Sequence, residues 1–238
     1  MEKLLNKLPQ HWEDRIIPLM TVNDKLVLGG SIALHILKIM DYNFNERTPD
    51  LDFSLTEPFE EKEFLTLLDF FNLSVIRGVN DYGEDGHPIH KLNPTESLEK
   101  ELIMLESNLV IDPSETNWKH MYYRVDFFNK NYLRKKDWFE LDYFGTPLKL
   151  THPSIILAAK MMYGTDNRVG KQYKHFKDIQ SIDWKEYFKI VKRIRSKHNI
   201  VKKEDGDDRY PIKYTLDKYV FEEYPETEDI LDSNGLPF

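Results

Sequence analysis

Leu26, Val27 and Leu28 run into Gly29, Gly30 and Ser31, and farther along come Asp50, Leu51, Asp52 and Phe53. A backbone that must approach phosphate closely cannot carry Cβ atoms, so the glycine pair suits a tight turn from a strand into a helix. Such a helix turns free N–H groups and the positive end of its dipole toward an anion. Ser31 stands where a capping or phosphate-binding hydroxyl would stand. On a strand, Asp50 and Asp52 point to one face and Leu51 and Phe53 to the other. Two carboxylates on one face repel each other unless a cation lies between them, and Mg²⁺ or Mn²⁺ takes such oxygen ligands together with substrate phosphates. The order therefore predicts chemistry on a nucleoside triphosphate with a divalent metal. Gly29, Gly30 and Ser31 would hold phosphate, and Asp50 and Asp52 would hold the metal. A plain loop before a helix, and a solvated strand edge, are the competing readings of the two motifs.

These residues need elements to place them. Residues 1–22 read as a helical lead-in, with Leu4, Leu5, Leu8 and Trp12 roughly on one face. Residues 26–28 are the first strand, and 31–40 a helix burying Ala33, Ile36, Leu37 and Met40. Residues 51–55 form the second strand, and 58–71 a helix with Phe59, Phe64, Leu67, Leu68 and Phe71 inward. Residues 73–79 and 89–92 read as hairpin strands around the Gly83–Gly86 turn. Residues 98–105 fit a helix or a strand equally. Residues 121–128 are strongly β-prone. Residues 147–150 read as a short strand, and Thr151, His152 and Pro153 open a helix over 154–163.

The ordered set Gly29-Gly30-Ser31, helix, Asp50-Leu51-Asp52 on a strand, preceded by Arg47-Thr48, resembles the DNA polymerase β-like nucleotidyltransferase superfamily. It is most similar to the minimal and abortive-infection (AbiE-type) toxin members. The resemblance implies a third metal carboxylate on a later strand, able to act as general base. Asp126 is the best candidate, with Asp112 as the alternative; an Asp–Arg pair or an exposed strand face is the plain reading of Asp126. The resemblance extends to Ala159-Lys160, Arg168 and Lys177-Asp178-Ile179. It implies that Lys160 contacts the triphosphate, that Asp178 belongs to the same nucleotide site, orienting the triphosphate or standing behind its direct contacts, and that Arg168 and Lys174 touch phosphate. Solvated helix charges, or a Lys174–Asp178 pair one turn apart, are the plain alternatives. The histidines, His175 among them, show no metal-ligand spacing.

The implied fold is α+β: a mixed β-sheet flanked by helices over residues 1–145, followed by a mainly helical domain over 146–238. The implied reaction moves a nucleoside monophosphate from an NTP to a hydroxyl and releases pyrophosphate. An RNA or tRNA end is the first choice of acceptor, because residues 160–203 are rich in Lys and Arg. A protein, or a small hydroxyl compound such as an aminoglycoside, is the second. A catalytically inactive nucleotide-binding module is the reading from another class. An antitoxin protein is an expected partner. The net charge of −8 argues against a globally basic nucleic-acid binder. The absence of cysteine excludes disulfide partners and thiolate metal sites. Residues 1–10 lack a cleavable apolar region and no run is long enough to span a membrane, so a cytoplasmic protein is expected. No P-loop and no serine-hydrolase elbow occurs.

Overall fold

The computed structural model describes residues 5–44, 50–76, 92–108, 123–130, 132–165 and 172–197. In chain order these form α1 (Gln10–Val22), β1 (Leu26–Leu28), α2 (Gly30–Ile36), β2 (Asp50–Leu55), α3 (Glu61–Phe70), β3 (Leu73–Ile76) and the single turn α4 (Pro94–Ser97). There follow β4 (Leu102–Ser107), β5 (Arg124–Phe128), β6 (Trp138–Tyr143), β7 (Thr146–Thr151), α5 (Pro153–Thr165), α6 (Gln172–Gln180) and α7 (Trp184–Lys197). The described strands make one mixed sheet in the order β3-β4-β5-β2-β1-β7-β6. β2 runs parallel to β5, and β1 parallel to β7; the other neighbours are antiparallel.

Alternation explains why β2 and β5 hold the middle of the sheet. Leu51, Phe53 and Leu55, with Val125 and Phe127, are fully buried on one face. Asp50, Asp52 and Ser54, with Arg124, Asp126 and Phe128, are half-buried on the other. The Phe127 ring lies 5.9 Å from Phe53, 5.3 Å from Phe59 and 6.5 Å from Phe64. The apolar face of α3 is thereby anchored on the sheet, and each aromatic contact adds roughly 0.5–1.5 kcal/mol to simple burial.

Several elements differ from the sequence expectation. The lead-in is helical only from Gln10; Leu5 and Leu8 are buried in non-helical chain, where Asn6 N–H donates to the Ile36 carbonyl at 2.9 Å. The helix expected over 31–40 stops at Ile36. Lys38 adopts φ 60°, and its N–H and that of Ile39 return to His35 and Leu34, the Schellman pattern of a helix end. The undecided segment 98–105 resolves into the turn after α4 and strand β4. The hairpin expected over 73–92 lies mostly outside the described residues, although Leu92 N–H donates to Val75 O at 3.0 Å. β3 takes β4 as its ladder partner. The expected boundary at 145/146 falls in the tight turn of the β6–β7 hairpin, and β7 is a strand of the same sheet. α5–α7 supply the helical part. Among the described residues no helix is long and apolar enough to cross a membrane.

Candidate active site

The glycine turn and the Asp50–Asp52 strand, separate in sequence, interlock in space. Gly29 N–H donates to the Asp52 carbonyl at 2.7 Å. Gly30 opens α2 with φ +59°, and a Cβ built on it would lie 1.9 Å from Asp52 Oδ2 and 2.7 Å from its Cγ. Glycine is required there twice over, by the left-handed backbone and by the carboxylate that occupies the space.

The third carboxylate is placed by register. β2 and β5 pair Asp50 with Arg124, Asp52 with Asp126 and Ser54 with Phe128. Parallel neighbours in register share a face about 4.8 Å apart along the hydrogen-bonding direction. Asp52 and Asp126 therefore stand side by side, and Asp50 stands beside Arg124. Glu106, buried on β4, is in register with Arg124 and accepts from its Nε at 3.4 Å. Burial pulls the Arg124 guanidinium below its usual value, while the charges of Asp50 and Asp126 push it back up. One cation thus sits among three carboxylates. Asp126 lies within electrostatic reach of Arg124 as well as in register beside Asp52.

The resemblance-implied residues meet behind the glycine turn. Lys160 Nζ donates to Asp178 Oδ2 at 2.6 Å and to Ser31 Oγ at 2.9 Å, and Ser31 Oγ donates to the same Asp178 oxygen at 3.2 Å. All three are buried, Asp178 to 1% exposure. α5 and α6 deliver Lys160 and Asp178 to the start of α2. Lys174 lies on α6, but its side chain is outside the described part, as are Arg47, Thr48, Asp112 and Arg168.

A cavity of about 630 Å³ opens over this arrangement, within the range of small-molecule sites. Its polar wall includes Gly29, Gly30, Asp52, Lys130, Thr151 and Lys160; its apolar wall includes Phe128, Tyr132, Leu133, Ile155 and Ile156. Asp50 and Asp126 share the sheet face of Asp52 without lining the cavity, and Ser31 and Asp178 lie behind Lys160. Sequence reasoning missed Thr151, Lys130, Tyr132, Glu106 and Arg124 as site residues, and set aside His175, which lines the cavity. Each enters through a long-range contact, and no local pattern marks it.

The donor set suits a hard divalent cation, being carboxylate oxygen throughout. Among the described residues, however, no three His, Cys, Asp or Glu side chains are gathered as a preformed metal-holding group. Among the described residues, Arg124 brings a positive charge close to Asp50 and Asp126.

No protein-family model matches the sequence, and no curated protein matches it. Comparison with solved structures does find relatives of the fold. An antigenic nucleotidyltransferase-like protein from Paracoccidioides brasiliensis superposes with a TM-score of 0.52 at 12% identity, over 92% of this chain and 91% of that one. The chain has a nucleotidyltransferase-like fold. A candidate nucleotidyltransferase from H. pylori aligns over 93% of this chain and 99% of its own, with a TM-score of 0.38 and 12% identity. The Megavirus polyadenylate synthase aligns over 92% of this chain and 40% of its own, with a TM-score of 0.37 and 13% identity.

Proposed function

We propose that this protein is a metal-dependent nucleotidyltransferase. The observation that carries the reading is the interlock of Gly29 and Gly30 with Asp52 at the wall of a nucleotide-sized cavity that Lys160 also lines, with Asp126 in register beside Asp52 on the same sheet face. Asp50, Asp52 and Asp126 would hold Mg²⁺ or Mn²⁺, which when bound neutralises phosphate charge and polarises the attacking oxygen. The glycine turn admits the triphosphate close to the backbone. Lys160 offsets charge that grows on the leaving pyrophosphate. Asp126 takes the proton of the acceptor hydroxyl as its oxygen bonds to the α-phosphorus. The bond from that phosphorus to the bridging oxygen breaks, and pyrophosphate departs.

The acceptor that fits best is an RNA end, particularly of tRNA, since residues 160–203 are basic in an otherwise acidic chain. A protein or small-molecule hydroxyl is the second choice. The AbiE-type toxin resemblance adds an antitoxin partner and a cytoplasmic site of action to the proposal. Two observations favour a second reading, a nucleotide-binding module without catalysis: Arg124 lies among the carboxylates, and among the described residues no three ligands are preformed.

Label transfer tests the two. The protein is incubated with each α-labelled NTP, Mg²⁺ or Mn²⁺, and total RNA and protein, beside Asp52→Asn and Asp126→Asn. Label on RNA with wild type only is expected, and Asp126→Asn should lose about 10²–10⁴-fold in rate if it is the base. Transfer by Asp52→Asn at the wild-type rate would sink the assignment. Nucleotide binding without transfer to any acceptor would favour the module.

A further inference from the structure

One row of residues crosses five strands on the cavity side of the sheet. Asp126 pairs with Asp52, Asp52 accepts from Gly29, and the β1–β7 register of Leu28 with Leu150 sets Gly29 beside Thr151. On the far side of Asp126 the row continues to Met104. Gly29 contributes no side chain, so the row has a notch at its centre, walled by Asp52 on one side and Thr151 on the other. A Cβ on Gly29 would fill that notch, 3.3 Å from Thr151 Oγ1 and 3.4 Å from the Asp52 carbonyl.

Thr151 ends β7, is 3% exposed, and lines the cavity. Its Oγ1 is buried and has no hydrogen-bond partner among the described residues. A buried hydroxyl left in this state is costly, and native folds rarely keep one without a reason. Valine has the same branched shape and would fill the end of a strand with no such penalty. A hydroxyl can donate to an anionic oxygen, and the groups around the notch (a bare glycine backbone and the Lys160 ammonium) suit phosphate.

We propose that the Thr151 hydroxyl is a substrate-contacting group, donating a hydrogen bond to a phosphate oxygen of the bound nucleotide in the notch over Gly29. The inference rests on the nucleotidyltransferase reading of the same cavity and adds a specific contact to it. Two strand spacings separate the Thr151 and Asp52 backbones, about 10 Å, so a polyphosphate lying over Gly29 reaches both walls.

The test compares wild type, Thr151→Val and Thr151→Ser as full-length chains in two measurements. The first is the thermal midpoint without ligand. The second is calorimetric binding of the four NTPs, of tripolyphosphate and of adenosine, with Mg²⁺. A hydrogen bond to a charged group predicts that Thr151→Val binds the preferred NTP and tripolyphosphate about 10- to 100-fold more weakly. Adenosine binding should be unchanged, and Thr151→Ser should stay near wild type. The unliganded midpoint of Thr151→Val should equal or exceed that of wild type, the opposite sign to a structural hydrogen bond. Equal NTP affinity in wild type and Thr151→Val overturns this contact while leaving the nucleotide reading standing. A midpoint lowered by more than about 3 °C, roughly 1 kcal/mol for a chain of this size, would show that the hydroxyl serves the fold and overturns it too. Failure of the wild type to bind any NTP would remove both the contact and the reading beneath it.

Discussion

Replacing Lys160 with Met tests whether the buried cluster behind the glycine turn holds the fold by charge. The Lys160 and Asp178 side chains are 7% and 1% exposed, and their N–O separation is 2.6 Å. Methionine has similar length but no charge, so the buried Asp178 carboxylate would lose the Lys160 ammonium at 2.6 Å and Ser31 would lose the donor at 2.9 Å. Breaking one side of such a pair costs about 3–5 kcal/mol, against roughly 5–15 kcal/mol of total stability for a typical domain. At about 2–4 °C per kcal/mol for a chain of this length, the midpoint should fall by about 6–20 °C. The double variant Lys160→Met/Asp178→Leu removes both charges together. It should lie within about 2 kcal/mol of wild type, because well-packed apolar groups replace buried pairs at little cost. Urea unfolding followed by circular dichroism on all four members of the cycle measures the coupling. Single variants each within about 1 kcal/mol of wild type, and additive in the double, would refute the reasoning. Lys160 and Asp178 would then be solvated well enough to need no partner.

Three further outcomes are expected. Gly30→Ala should cost at least about 1–2 kcal/mol from its left-handed backbone and should also displace the Asp52 carboxylate, abolishing Mg²⁺-dependent NTP protection in a melt. Gly145→Ala, at φ +91° with nothing within 4 Å of a new Cβ, should carry a backbone cost and leave that protection intact; equal effects would undo the argument. Burial holds His35 below the ordinary histidine value of 6.5, against the opposing pull of Asp41 and the Met40 carbonyl, and Tyr42 N–H donates to its Nδ1 at 3.0 Å. The unfolded chain therefore binds a proton that the folded chain refuses as pH falls below about 6.5, so stability should be flat above that value and decline beneath it. Urea midpoints at stepped pH, compared with His35→Asn, check the slope, and a flat difference would rule out His35 as its source. Tyr143→Phe should cost about 1–3 kcal/mol, since the hydroxyl donates to Glu13 Oε1 at 2.6 Å and accepts from Leu8 N–H at 2.8 Å; an unfolding curve that overlays wild type would contradict it.

What local pattern dictates was legible, and what long-range pairing dictates was not. Alternation alone put Leu51 and Phe53 inside and Asp50 and Asp52 on the opposite face, because the period of a strand is a property of each residue's neighbours. The end of α2 was not legible for an equally local reason. The left-handed position that closes the helix is normally announced by Gly or Asn, and here it is Lys38. Asn72, at φ 50° after α3, carries the ordinary signal, and that helix ended close to where its sequence indicated. Segment 98–105 stayed ambiguous because Ile103 and Leu105 alternate within a stretch short enough for one helical turn to fit as well. Its strand is set by pairing with β3 and β5, partners far away in the chain.

The same distinction governs the site. Two aspartates one residue apart announce a common face, but not how that face is balanced in charge, since balance comes from the neighbouring strands. Register supplies two rows. One reads Glu106, Arg124, Asp50 from β4 through β5 to β2, so a guanidinium separates two carboxylates. The next reads Met104, Asp126, Asp52, Gly29, with no cationic side chain in the row. The second row is therefore where the proposed divalent cation would offset the most repulsion, with Asp50 reaching in from the first row at the expense of its attraction to Arg124. Binding would then loosen the hold of Asp50 on Arg124 and leave the guanidinium more dependent on Glu106. Glu106→Gln should accordingly weaken the fold through its buried pair while leaving Asp52 and Asp126 in place. Asp50 thus belongs to both rows: it faces Arg124 in the first and would join Asp52 and Asp126 around the proposed cation.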